Sequence, residues 1–171
     1  NLLYIAVTTD TGCFQYANTN AATLRAAARL LELGADNRKI SMDFFRKISR
    51  ARMALVGQIY SGMRFFRGGQ IAIAVVTRAL IDALQATEDD CDDIAGLPGR
   101  ADGVVVSVTI RELLDGRSKI SVRSNPEVDA CAICAVYGGG GHKMASGCTL
   151  DCGTETAVEK ILAAIDQVWP A

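Results

Sequence analysis

The residues best suited to chemistry in this sequence lie between Tyr137 and Gly147. Four consecutive glycines are followed directly by His142, which is the only histidine of the chain. A glycine run lets backbone N–H groups approach a ligand closely, and successive N–H groups form a concave nest that attracts phosphate. Histidine adds a hydrogen-bond donor that can also transfer a proton near neutral pH. The pattern predicts an anion-binding loop, although a plain flexible turn beside a surface histidine is the alternative.

A second position of chemical interest is Asp10, which follows the apolar run Leu2 to Thr8. A continuous apolar run with β-branched residues predicts a strand that is buried on both faces of a parallel sheet. Ligands of open α/β sheets bind at the carboxyl ends of the strands. A carboxylate at this point is therefore suited to a metal ion or a phosphate, and a turn or capping aspartate is the alternative.

A third candidate is the pair Arg123-Ser124, at the end of a predicted strand that starts at Lys119. The turn signal Asp115-Gly116 precedes this strand and predicts a hairpin. An arginine side chain can hold a phosphate through two parallel hydrogen bonds. A surface arginine paired with a carboxylate would have the same sequence context, so the residues by themselves leave both interpretations open.

Gly139-Gly140-Gly141-His142, followed by Ala145 and Gly147, resembles the Gly-Gly-Gly-His-x-x-Ala-x-Gly signature of the C-terminal domain of DHH-family phosphoesterases. Thr9 to Phe14 and Arg123-Ser124 are similar to two further stretches of that family. The resemblance covers essentially the whole chain, in the right order. It is greatest to the bacterial branch that degrades very short RNA and dephosphorylates 3′-phosphoadenosine 5′-phosphate (pAp), while related members cleave di-adenylates.

The resemblance implies a metal-dependent phosphoesterase, in which Asp10 would bind a Mn²⁺ or Mg²⁺ ion. The residues that it implies for substrate binding are Arg123, Ser124, Gly139, Gly140, Gly141 and His142. The Asp-His-His triplet that names the family cannot be present, because the single histidine belongs to the glycine segment. The chain also does not begin with Met. We therefore expect a fragment of a longer protein that is catalytically incomplete, and the substrate choice among short RNA, pAp and di-adenylate stays open.

The expected fold class is α/β, with the end of a parallel-sheet DHH domain followed by a smaller mixed-sheet substrate-binding domain. The first part would comprise residues 1–55, including a connecting helix, and the second residues 56–171. Predicted helices cover residues 20–34, 35–48, 77–84, 127–137 and 154–168. Predicted strands form a hairpin over 63–76, a second hairpin over 103–123, and a final strand over 146–150.

Composition limits the function classes. The formal net charge is −1 and half of the residues are hydrophobic. A basic surface for long nucleic acids is therefore not expected, whereas a short oligonucleotide in a pocket is compatible. No apolar run approaches the roughly 20 residues of a membrane helix, and no signal-peptide pattern is found. We expect a cytoplasmic protein, with a homodimer as one option for its assembly.

Two clusters suggest metal sites at first sight. Cys131 and Cys134 have C-x-x-C spacing, and Cys148 and Cys152 follow. Their apolar surroundings favour buried free thiols over a zinc site. The acidic segment 87–93 is better explained as the first turn of a helix, where the helix dipole stabilises negative charge.

The rival function is a non-catalytic RNA-binding module. A domain with a similar glycine–histidine signature lies at the C-terminal end of alanyl-tRNA synthetases, where it binds RNA and catalyses no reaction. The Thr9 to Gly12 stretch favours the phosphoesterase, because the resemblance gives it a metal-binding role that the RNA module lacks.

Overall fold

The computed structural model describes residues 1–170, which form two compact units, Asn1–Ile48 and the remainder from Ser49. The first unit is helical, and the second holds a six-stranded sheet. The helix predicted to connect the domains, α4 (Arg50–Ser61), is confirmed and lies wholly in the second unit. The expected domain boundary after residue 55 stays a prediction.

The first unit contains three α-helices and a π-helical turn. They are α1 (Leu2–Asp10), α2 (Ala21–Glu32), α3 (Asn37–Ser41) and the turn Met42–Arg46. The predicted start of α2 is confirmed, since the Asn20 side chain accepts hydrogen bonds from the backbone N–H groups of Ala22 and Thr23. Its predicted end at Gly34 is also confirmed, with φ of 91° at the position where glycine commonly follows a helix.

The predicted strand over Leu2 to Thr8 is wrong, because this run forms α1. A short apolar run fits a strand and a helix equally well, and residues 1–48 contain no strand to pair with it. The hydroxyl of Thr8 donates to the carbonyl of Tyr4 at 2.8 Å, which accommodates a β-branched residue in a helix. Asp10 therefore ends a helix rather than a strand.

The second unit is organised by a mixed sheet with the strand order β1-β2-β3-β4-β6-β5. Its strands are β1 (Arg64–Phe66), β2 (Ile71–Val76), β3 (Val106–Glu112), β4 (Ser118–Ser124), β5 (Gly140–His142) and β6 (Ala145–Leu150). Only β2 and β3 are parallel among these pairs. The mixed α/β fold class is thereby confirmed, as are both predicted hairpins.

Helices and tight turns complete this unit. They are α5 (Arg78–Ala83), α6 (Ala130–Ala135), α7 (Thr154–Val168) and 3₁₀ turns at Arg67–Gly69, Asp89–Cys91, Ile94–Gly96 and Pro98–Arg100. The prediction for α7 is confirmed residue for residue, whereas α6 is shorter than the predicted helix. The acidic segment forms the turn Asp89–Cys91 instead of an α-helical turn, because Asp90 folds back to accept hydrogen bonds from Ser49 and Thr87.

The two faces of the sheet have different environments. One face carries the main core, where strand residues such as Val108, Ile120 and Val122 pack with α6 and α7. On the other face, β2 is covered by α4 and the turns of residues 89–100. The part of that face formed by β4, β6 and β5 remains accessible, as the exposure of Lys119 and Thr149 shows.

Candidate functional site

An accessible patch of the sheet brings together three of the predicted site residues, Arg123, Gly140 and His142. In β4, Ile120 and Val122 are buried, so the alternate residues project from the opposite side of the sheet. We define the open face as Lys119, Ser121 and Arg123 of β4, Ala145, Gly147 and Thr149 of β6, and Gly140 and His142 of β5. Most of these residues line a cavity of about 400 Å³, which is within the usual size range of small-molecule sites.

Strand register places Arg123 and His142 on either side of one small residue. Both are the direct pairing partners of Ala145, one on β4 and the other on β5. Neighbouring strands lie about 4.8 Å apart, so the backbones of Arg123 and His142 are about 10 Å apart. The small Ala145 side chain leaves the space between the two longer side chains free for a ligand.

The charge of the open face is positive and uncompensated. None of the salt bridges within residues 1–170 involves Arg123 or Lys119. The Arg123 guanidinium donates to the carbonyl of its neighbour Val122 at 3.0 Å. The residues that line the cavity include no carboxylate. Arg123 thus differs from a surface arginine paired with an acid, and an anion in the cavity would not contact a carboxylate.

Ser124 is used within the protein itself. Its hydroxyl donates to the carbonyl of Val128 at 2.8 Å, with a longer contact of 3.4 Å to the carbonyl of Lys143. Its backbone N–H donates to the carbonyl of Met144 at 3.2 Å. Ser124 therefore connects the end of β4 to the segments before α6 and before β6. A direct contact between Ser124 and a substrate stays a prediction.

The glycine segment is more ordered than the predicted free loop. The N–H groups of Gly138 and Gly139 donate to the carbonyls of Ala135 and Cys134, both at 3.0 Å, so these two groups are not free for an anion. The nest expected over the whole run is therefore wrong at these two positions, because they close the end of α6. The following residues form β5, which is the outermost strand of the sheet.

Two of the glycines are required by close packing. A side chain at Gly139 would collide with the Gly147 carbonyl and lie 2.5 Å from the Cys148 Cβ. At Gly141, φ is 149° and a side chain would lie 2.6 Å from the Ala145 carbonyl. Gly140 has no atom within 4 Å of where its side chain would start. Sequence reasoning attributed all of these glycines to ligand access and missed the role of packing.

The cysteines beside the glycine segment are free thiols. Cys134 of α6 and Cys148 of β6 are both buried in the main core. A hydrogen bond with Cys134, together with burial, raises the pKa of the Cys148 thiol, which keeps it neutral at pH 7. Within residues 1–170, no three His, Cys, Asp or Glu side chains come close enough together to hold a metal ion.

Asp10 lies in the helical unit, where Asn18 holds its carboxylate. The Asn18 side-chain amide donates to Asp10 Oδ2 and to the Asp10 carbonyl, both at 3.1 Å. A carboxylate oxygen suits Mn²⁺ or Mg²⁺, but such ions take about six ligands. Since no cluster of ligands forms among the described residues, Asp10 and its surroundings do not fit a complete metal site. A metal-binding role for Asp10 stays a prediction.

Comparison with known proteins identifies a family. The family described as "DHHA1 domain" matches residues 68–169. The bifunctional oligoribonuclease and PAP phosphatase NrnA of Thermus thermophilus is 38% identical over 161 residues, which are 93% of this chain and 47% of that protein. The protein of the same name from Mycoplasma genitalium is 34% identical over 85% of this chain and 44% of its own length.

A solved structure gives the same result for the fold. The exopolyphosphatase-related protein of Bacteroides fragilis matches with a TM-score of 0.85 and 27% identity, over 94% of this chain and 47% of that one. The chain thus spans about half the length of the curated relatives it matches. The resemblance to the C-terminal region of the DHH family is confirmed, and the chain belongs to the DHHA1 domain family.

Proposed function

We propose that this chain is the nucleotide-binding part of a metal-dependent phosphoesterase that acts on short oligoribonucleotides, on pAp, or on both. The observation that carries the proposal is the open face, where Arg123 and His142 flank Ala145 and where no carboxylate lines the cavity. The names of the NrnA relatives support the same class of substrate.

Four residues of the open face, together with the neighbouring Ser124, have distinct parts in this proposal. The Arg123 guanidinium binds phosphate oxygens through paired, charge-assisted hydrogen bonds. His142 donates a further hydrogen bond to the same phosphate from the other side of Ala145. Gly140 and Gly147 leave room for the base or the ribose to lie against the sheet. Ser124 holds the surrounding loops in position through its bond to Val128.

We further propose that Asp10 is one ligand of a Mn²⁺ or Mg²⁺ ion and that the other ligands come from the half of the relatives' length that this chain does not span. Residues 1–170 offer no such cluster. We therefore expect this chain to bind nucleotide without metal and to leave the phosphoester bonds intact.

Two further properties belong to the proposal. We place the protein in the cytoplasm, in keeping with its six free cysteines. We also propose a homodimer, which sedimentation of the purified chain would reveal or exclude. Among the described residues, no helix is both long and apolar enough to span a bilayer.

The proposal is tested by calorimetric titration of the chain with pAp and with the dinucleotide pApA, without divalent metal. Changing Arg123→Ala should weaken both affinities about tenfold to a hundredfold, because a hydrogen bond to a charged group contributes about 1.5–3 kcal/mol. The ligands recovered afterwards should be intact.

The matched control is Arg117→Ala, which removes an arginine of the β3–β4 hairpin turn that pairs with Asp115. This variant should bind like the unmodified chain. If the Arg123→Ala variant bound pAp and pApA with the same affinity as the unmodified chain, the proposal would be contradicted. Affinity that grows steadily with RNA length, with no preference for pAp, would instead indicate the RNA-binding module.

A further inference from the structure

The open face has a second cation at the end opposite Arg123. Lys119 and Arg123 are four residues apart on β4, so they project from the same side, with their backbones about 13 Å apart. Lys119 pairs with Thr149 of β6, and both line the cavity that contains Arg123. Between the two cations lie Ser121 and Gly147, which are small and uncharged.

Two acids near this end of the sheet, Glu88 and Glu112, are already engaged. Asp151, two residues beyond Thr149, is exposed and forms no salt bridge within residues 1–170. Across from Lys119, Arg111 of β3 binds Glu88 at 2.8 Å. Glu88 also contacts Arg78 at 3.4 Å. Glu112 accepts a hydrogen bond from the backbone N–H of Arg78 at 2.8 Å. Lys119 itself forms no salt bridge with any residue of 1–170.

We propose that Lys119 and Thr149 form a second anion subsite, which takes the second phosphate of a doubly phosphorylated nucleotide while Arg123 and His142 take the first. This inference rests on the proposed function of the open face. The Lys119 ammonium is a compact charge on a flexible stem, so it can follow the position of a phosphate. The Thr149 hydroxyl adds a neutral donor beside it.

Two cations at opposite ends of the cavity favour a ligand that carries two phosphates. A nucleoside monophosphate can engage only one charged end of the cavity at a time. A nucleoside bisphosphate, or a dinucleotide with a 5′-phosphate, places separated negative charges over both ends. Preference for two phosphates over one should therefore depend on Lys119, and it should shrink at high salt because the Lys119 charge is exposed.

The test compares AMP and pAp in calorimetric titrations of the unmodified chain and of Lys119→Ala, Lys119→Arg and Lys160→Ala. Lys160 is an exposed lysine of α7 outside the cavity, and it serves as the matched control. Lys119→Ala should weaken pAp binding about fivefold and leave AMP binding unchanged, since an exposed charge pair contributes up to about 1 kcal/mol. Lys119→Arg should keep the preference for pAp.

The outcomes separate the two proposals. If Arg123→Ala weakens both ligands while Lys119→Ala changes the ratio of the pAp and AMP affinities no more than Lys160→Ala does, the second subsite is overturned and the proposed function stands. If the unmodified chain binds neither ligand, or if Arg123→Ala has no effect, the proposed function fails and the second subsite fails with it.

Discussion

At Gly139 the backbone passes so close to β6 that no side chain fits. A methyl group there would lie 2.5 Å from the Cβ of Cys148, which is itself buried in the core. One residue further on, Gly140 faces the cavity and meets nothing within 4 Å. Neighbouring glycines of one motif therefore have different physical roles, one in packing and one in access to the open face.

This difference predicts opposite results for two alanine substitutions. Gly139→Ala should destabilise the fold by about 1–3 kcal/mol through overpacking, which for a chain of this size lowers the Tm by about 2–4 °C per kcal/mol. Gly140→Ala should leave the Tm unchanged and weaken pAp binding, because its methyl group projects into the cavity. Thermal melts and pAp titrations of both variants make the comparison. An unchanged Tm for Gly139→Ala, or equal destabilisation by both, would contradict the assigned packing.

At the scale of elements, a network of hydrogen bonds joins the start of α4 to the acidic turn. The hydroxyl of Ser49 donates to Asp90 at 2.5 Å and also accepts from the backbone N–H of Arg52. Thr87 donates to the same carboxylate through its backbone N–H and its hydroxyl, at 2.8 and 2.9 Å. The acidic segment therefore holds the start of α4 in place within the second unit. The contacts of Asp90 are hydrogen bonds from Ser49 and Thr87.

This network predicts a pH dependence. The hydrogen bond from Ser49, followed by those from Thr87, holds the pKa of Asp90 below its ordinary value. The pKa of Asp90 is thus lower in the folded chain than in the unfolded chain. Its contribution to stability is then fully present above the ordinary carboxyl pKa of about 3.9 and is lost as the pH falls through the folded-state value.

Denaturant unfolding between pH 7 and pH 3 measures this contribution. Asp90→Asn should be less stable than the unmodified chain at pH 7, and its stability should fall less steeply on acidification. The control Asp151→Asn changes an exposed aspartate and should follow the slope of the unmodified chain. If the free energy of unfolding fell equally steeply with pH for Asp90→Asn and for the unmodified chain, the hydrogen bonds to Asp90 would not be the source of this pH dependence.

Elements whose apolar residues repeat at a regular spacing were predictable from sequence. Elements whose structure depends on pairing with a distant part of the chain were not. The closing helix α7 was found to the residue because its apolar positions repeat at helical spacing through to Ile165. The run Leu2 to Thr8 was assigned to a strand because its continuous apolar pattern has no period to decide between the two structures. Strand β5 was missed since glycine has little preference for strands, and its pairing is set by β6.

Sequence motifs predicted some residues of the candidate site, but not how the sheet arranges them. The resemblance selected Arg123 and the glycine–histidine segment, which the sheet does place side by side through Ala145. Alternation along the predicted strand places Lys119 on the same side as Ser121 and Arg123, opposite Ile120 and Val122, and the structure confirms this. The position of Lys119 beside Thr149 follows from strand register, which depends on pairing across the sheet and was not predicted.

For the whole molecule, the net charge of −1 conceals a local concentration of positive charge on the open face. Such a surface attracts a small anion over a short range and gives little affinity for long nucleic acid. The match to the DHHA1 domain family, over residues 68–169, includes every residue of this face. We therefore expect this face to bind a nucleotide without the help of metal.

The most direct test is NMR titration of the ¹⁵N-labelled chain with pAp in the absence of divalent ions. Backbone amide shifts should change at Arg123, Gly140, His142 and Gly147, with the changes saturating at one ligand per chain. Residues of α1 and of the core-facing helix α7 should be unaffected. Shift changes confined to other surfaces, or none at millimolar pAp, would contradict the claim that the open face is the nucleotide site.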